Sequence, residues 1–142
     1  MNLKFKKLNE EAIIPEYKSA GAAGMDICSI EDLCLESGEF RIVKTGLACA
    51  IDSGYEVQVR PRSGMACKRG VTVINTPGTI DEDYRGEIGI GLINLSKEPV
   101  NIVKGERVAQ LVVNKIEHPD IEVVSELDET ERGEKGFGSS GY

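Results

Sequence analysis

The run from Asn75 to Gly91, NTPGTIDEDYRGEIGIG, constrains this chain more than any other stretch. It opens with Asn75, Pro77 and Gly78, turn residues that break any helix. Ile80 begins an apolar alternation. An acidic turn follows, Asp81-Glu82-Asp83-Tyr84-Arg85-Gly86. Then Ile88, Ile90 and Leu92 alternate with Gly89 and Gly91, the period of two that marks a strand with one buried face. The spacing predicts a β-hairpin. Its other face is lined with glycine, so a ligand or another backbone can approach closely. Asp81 falls where the entering strand meets the turn. Aspartate is a common turn former, so on its own it reads first as solvated loop decoration. Only the rest of the chain turns it into a candidate for chemistry.

At 142 residues the chain is expected to form one domain. That length buries about two-thirds of the unfolded surface without staples. Sixteen Gly, no Trp and many Val and Ile favour short strands and turns over long helices. No apolar run approaches the ~20 residues that span a bilayer, so no membrane partner is expected. The basic start, Met1 to Lys7, is not followed by a long apolar segment, and no signal peptide is read there. Cys28, Cys34, Cys49 and Cys67 form no C-x-x-C pair, and the single histidine, His118, is distant from them in sequence. Free thiols and a cytoplasmic location are expected rather than zinc. A net charge of −7 argues against a nucleic-acid partner, which needs a basic face.

Leu3 to Leu8 contains a candidate first strand. In the run from Ser19 to Ile30, small residues lead through Gly24 into a strand start at Met25-Asp26-Ile27. Asp26 reads as a partner for an arginine or for a cation. Glu39 to Ile51 is strand-like and broken at Thr45-Gly46. Tyr55 to Arg60 alternates cleanly and stops at Pro61, which suits a strand end. From Arg62 to Gly70 the spacing predicts about two turns of helix, with Ser63 as N-cap and Gly70 as stop. A helix start offers unpaired N–H groups to a phosphate, and Arg62 adjoins it. A plain capped helix between strands explains the same residues. Val100 to Val103 and Arg107 to Ile116 are further strands, with Arg107 and Gln110 as polar exceptions. From Ser125 the composition shifts, ending in RGEKGFGSSGY. Such a tail cannot order itself alone. It is either a loose terminus or an arm that closes over a ligand, with Phe137 stacking on a ring and Arg132 pairing with an anion. The chain as a whole reads as all-β with one short helix.

Five segments resemble, in order, the five motifs of the trimeric dUTP diphosphatases: AGAAGMD, PRSGMA, NTPGTIDEDYRG, GERVAQ and RGEKGFGSSG. They span residues 20 to 141. Each is weak alone, and the set is specific. Lys135 stands where the family usually has glycine and Ser140 where it usually has threonine. Lys135 stiffens the arm slightly and adds a positive charge.

The resemblance implies a jelly-roll-like distorted β-barrel over residues 1–124 and a mobile C-terminal arm over 125–142. It implies a homotrimer with active sites shared between subunits, and hydrolysis of dUTP to dUMP and pyrophosphate with Mg²⁺. It also implies a role in supplying dUMP and keeping uracil out of DNA. By this likeness Asn75, the backbone of Thr79, Ile80 and Asp81, and Gly89 read the uracil edge. Tyr84 lies under the sugar. Arg62, Ser63, Gly64 and Gln110 hold phosphates. Arg132, Phe137 and Gly138 arrive with the arm. Asp81 is the general base that activates water. The metal travels with the nucleotide and needs no direct protein ligand, Asp26 touching at most its water shell.

Two other readings are kept. A dCTP deaminase shares this fold family, but is normally longer and lacks a glycine-aromatic tail. A catalytically idle nucleotide-binding regulator would act through a protein partner, and the intact Asp81 and arm speak against idleness.

Overall fold

Strict alternation from Tyr55 to Arg60 buries Val57 and Val59 and leaves their neighbours half-exposed, so this segment is a strand inside a sheet. The structure, a computed structural model, describes residues 1–141. Tyr142, the last residue of the expected arm, lies outside the described residues. The elements in order are β1 (Leu3–Lys7), β2 (Met25–Cys28), β3 (Leu33–Leu35), β4 (Phe40–Lys44), β5 (Leu47–Ile51) and β6 (Tyr55–Arg60). Then come α1 (Ser63–Arg69), β7 (Val71–Val73), β8 (Gly78–Ile80), β9 (Gly89–Asn94), β10 (Val100–Ile102) and β11 (Arg107–Lys115).

Every ladder is antiparallel. The largest sheet runs β2-β11-β6-β8, and a second runs β4-β9-β7. Two two-stranded ladders, β1-β5 and β10-β3, complete the set. No sheet closes on itself among the described residues, so the fold is an open jelly-roll-like wrap of four sheets. One core joins them, with Ile27, Leu47, Val57, Ile90, Ile102 and Leu111 all fully buried. The expected all-β fold with one short helix is the fold found.

Two expectations are corrected. The first is the hairpin. β8 and β9 do not pair with one another: β8 pairs with β6, and β9 lies between β4 and β7. Ile80, Ile88, Ile90 and Leu92 are buried as the alternation requires. Alternation reports which face is buried, and is silent about which strand is the neighbour.

The second is the helix start. The N-cap position is Arg62, with φ −91° and ψ 130°, and it makes no side-chain cap bond. The Arg62 carbonyl accepts the first helical bond, from Ala66 N–H at 3.0 Å. Ser63 is therefore already in the first turn. Tertiary contacts of the Arg62 side chain, described below, override the cap preference of serine. The stop at Gly70 is as expected. It adopts the left-handed conformation, φ 69°, and its N–H bonds back to Ala66 and Met65 carbonyls.

Candidate active site

An edge strand carries backbone N–H and C=O groups without ladder partners. β8 is the edge of its sheet. β9 is paired with β7 only from Leu92 onward, extended by Ile74 N–H donating to Gly91 O at 2.8 Å. Between these two open backbones lies a cleft of about 200 Å³. It brings together six residues expected from sequence: Asn75, Thr79, Ile80, Asp81, Tyr84 and Gly89. Val59 and Ile88 add an apolar floor, both nearly inaccessible. The volume is below the roughly 300–1,000 Å³ of whole-ligand pockets, so it suits the ring-bearing end of a longer ligand.

The glycines act differently from the sequence reading. A Cβ on Gly89 would stand 2.6 Å from Ile42 Cγ2, and one on Gly91 would stand 2.9 Å from Ile74 Cγ2. Neighbouring side chains, rather than a ligand, take the space that those glycines leave. Asn75 occupies the gap between the strands. A Cβ on Gly78 would lie 3.3 Å from Asn75 Nδ2, and one on Gly91 would lie 3.6 Å from Asn75 Oδ1.

The turn from Asp81 to Ile88 is fastened at both ends. Glu82 accepts from Gly54 N–H at 2.6 Å and from Ser53 Oγ at 3.0 Å. Glu87 accepts from Gly46 N–H at 2.9 Å, and Thr45 Oγ1 donates to Ile88 O at 2.6 Å. The Gly54 amide, and after it the Ser53 hydroxyl, hold the Glu82 carboxyl below the usual carboxylate range. That tether is therefore fully present above the usual range and is lost as pH falls through the lowered value. Tyr84 Oη donates to Glu87 O at 2.9 Å, and its ring covers Gly86, where any Cβ would collide with it. Asp81 is exposed at the rim, and its side chain makes no hydrogen bond or ion pair among the described residues. The sequence carries no signal for Glu82 or Glu87, because a carboxylate in a turn does not announce which distant amide it will accept.

The second cluster lies on adjacent strands. Gln110 of β11 sits opposite Asp26 of β2 and Arg60 of β6. Gln110 Nε2 donates to Pro61 O at 2.9 Å, and its Oε1 fills the space beside Gly24, where a Cβ would stand 2.6 Å away. Asp26 accepts from Arg62 Nε at 3.0 Å and from Arg107 Nη1 at 3.1 Å. Arg62 Nη1 also donates to Arg107 O at 3.2 Å. In sequence Arg107 reads only as a polar exception in its strand. A cleft of about 550 Å³ opens beside this cluster, lined by Ser63, Gln110, Arg60, Thr76 and Pro77. The segment 75–79 thus lines the first cleft with Asn75, Gly78 and Thr79 and the second with Thr76 and Pro77. Gly64 lies in the first turn of α1, exposed, where the leading N–H groups have no intrahelical acceptor.

The arm residues do not reach either cleft within one chain. Arg132 Nε donates to Lys135 O at 2.7 Å, within the tail, and Gly138 lies in the same local loop. Phe137 is fully exposed, with φ 52°. No group of three or more His, Cys, Asp or Glu suited to a metal is present among the described residues. Both Asp26 oxygens already accept from guanidinium groups, so direct ligation of a cation there does not fit. All four cysteines are free, and no described helix is long and apolar enough to cross a membrane.

A family model described as dUTPase matches residues 10–141. A protein of Nautilia profundicola named deoxyuridine 5'-triphosphate nucleotidohydrolase is 57% identical over 141 residues, covering 99% of each chain. Its namesake in Wolinella succinogenes is 52% identical, covering 99% of this chain and 95% of that one. Among solved structures, the Staphylococcus bacteriophage 80alpha dUTPase with dUPNHPP superposes with a TM-score of 0.91 at 35% identity, over 99% of both chains. A mutant dUTPase of phage phi11 of S. aureus, described with a structural Mg(II) ion, gives a TM-score of 0.84 at 28% identity, over 91% of this chain and 100% of that one. With matches that run the length of the chain and a cleft on its third motif, the protein belongs to the dUTPase family.

Proposed function

We propose that this hydrolase converts dUTP to dUMP and pyrophosphate, with the uracil held between β8 and β9 and Asp81 as the general base. The observation that carries this is the cleft itself. Two open backbone edges face each other, with the Asn75 amide between them and a free carboxylate at the rim. A planar ring with acceptor, donor and acceptor along one edge can take the place of a missing strand. Cytosine reverses part of that pattern and leaves fixed backbone groups unpaired, which is strongly unfavourable when buried. Exclusion of the thymine methyl is assigned to the walls of the cleft. Tyr84, with its hydroxyl fixed on Glu87 O, packs under the sugar and excludes a 2′-hydroxyl.

Asp81 takes a proton from a water whose oxygen bonds to the α-phosphorus. The bond from that phosphorus to the bridging oxygen breaks, and the electron pair leaves with pyrophosphate. Phosphoryl transfer of this kind depends mainly on positioning and charge stabilisation. Arg62, Ser63, Gly64 and Gln110 are assigned to the phosphates, and Arg132, Phe137 and Gly138 to closure. Mg²⁺ entering with the triphosphate would neutralise its charge, with Asp26 in reach only of its water shell. A local set of arginines offsets the net charge of −7, which salt screens beyond roughly 8–10 Å. In the cell this activity supplies dUMP and keeps uracil out of DNA.

We further propose a homotrimer. One chain leaves Phe40, Ile42 and Ile74 exposed on the outer face of β4-β9-β7, and Ile121, Val123 and Leu127 exposed beyond β11. Exposed apolar side chains grouped on one sheet face fit a subunit interface. Pyrophosphate release from dUTP, dCTP, dTTP and UTP tests the substrate, and Asp81→Asn tests the base. We expect turnover of dUTP alone, and a loss of roughly 10²-fold or more in the variant with dUTP binding kept. Deamination of dCTP, or near-normal turnover by Asp81→Asn, would contradict the reading.

A further inference from the structure

We propose that Glu82 is a positioning residue, holding Asp81 at the cleft mouth by tying its turn to the Asp52–Gly54 turn. This rests on the reading of Asp81 as the base. The ladder of β8 with β6 ends at Ile80, paired with Val57. At the far end, Glu87 and Ile88 are fixed by Gly46, Thr45 and Leu47. Between these anchors the turn's own bonds are local. Tyr84 N–H donates to Asp81 O at 3.2 Å, and Arg85 Nη1 donates to Glu82 O at 2.6 Å. Such bonds shape the turn without locating it on the body. Among the described residues, the Glu82 carboxylate makes the only long-range hydrogen bonds of residues 81–86, to Gly54 and Ser53.

The chemistry of the tether is specific. Gly54 N–H can only donate, whereas the Ser53 hydroxyl can donate or accept. Glutamine can therefore keep both contacts, its Oε1 accepting from Gly54 and its Nε2 donating to Ser53. Alanine keeps neither. Gly54 also presents its carbonyl to Ile116 N–H at 3.0 Å, at the end of β11. One glycine thus joins the base's turn to the root of the C-terminal segment. A reacting group displaced by about 1 Å loses on the order of 10²-fold in rate. A loosened turn would sample the right position part of the time, so a smaller loss is expected.

The test uses the full chain, with a non-hydrolysable dUTP analogue to count competent sites, so that misfolded protein does not lower kcat. Glu82→Ala should lower kcat per analogue-binding site about tenfold or more. KM and analogue affinity should change by less than kcat, because the assigned phosphate contacts and the Asn75 and Gly89 contacts lie outside the turn, whereas Tyr84 and the Asp81 backbone move with it. Glu82→Gln should return kcat to within about threefold of the parent, a rescue that loss of a charge could not give. Ser53→Ala, which keeps the Gly54 bond, should cost about two- to fourfold and decides the matter if Glu82→Ala does not fold. Parental kcat in Glu82→Ala, equal damage in Glu82→Gln, or a parallel loss of analogue binding would overturn the inference. Asp81→Asn is measured alongside. If it remains active, the base assignment fails. If it is inactive while Glu82→Ala is parental, only the positioning role fails.

Discussion

Tyr84 illustrates how a side chain gains a role from its neighbours. Its hydroxyl is committed to Glu87 O, and its ring lies against Gly86 at the cleft wall. On the proposed function, a ring held this way is the surface on which the sugar would rest. Tyr84→Ala should therefore lower the ratio of kcat/KM for dUTP over UTP by at least about tenfold. An unchanged ratio would remove Tyr84 as the gate. At this scale the sequence was legible for residues whose chemistry is local. Asn75, Thr79, Ile80, Asp81, Tyr84 and Gly89 are close in sequence and meet in one cleft. It was legible for Asp26 only as far as an arginine or cation partner, not as far as Arg62 and Arg107, and it was not legible for Glu82 or Glu87. Those contacts join residues from distant segments, and only the ladders bring them together.

Among the elements, β6 and β11 followed their patterns because an alternating face packed on a core leaves one register open. β8 and β9 did not form the expected hairpin, and that difference is what creates the cleft. Had they paired, their open edges would have been consumed by each other. The short strands β3 and β7 carry too few residues for alternation to be read. Helix α1 shows both outcomes. Its start was shifted by the Arg62 side chain, while its stop at Gly70 follows from backbone sterics alone. A Cβ at Gly70 would stand 2.9 Å from Ser96 Cβ and 3.1 Å from Ser96 N, on a backbone of positive φ. Gly70→Ala should cost about 1–2 kcal/mol. Urea unfolding at matched protein concentration checks this, and an unchanged midpoint would contradict it.

In the whole molecule, one chain holds the parts of a site without assembling them. The cleft between β8 and β9 and the Gln110 cluster open on either side of the segment 75–79, and Phe137 touches neither. The sequence marked the arm by composition but could not say where it lands, because a glycine-rich tail has no preferred register. The body's last backbone bond, from Ile116 to Gly54, comes before the composition shift at Ser125, and the intervening residues are exposed. Our account therefore has the arm of one subunit completing the cleft of another. The direct measurement mixes two inactive variants, Asp81→Ala and a chain truncated before Arg132, unfolded together and refolded. If base and arm come from different subunits of a cyclic trimer, about a quarter of the sites are whole, and activity returns to about that fraction of the parent. The same variants mixed without unfolding should stay inactive. A refolded mixture that is trimeric yet inactive would contradict the shared site.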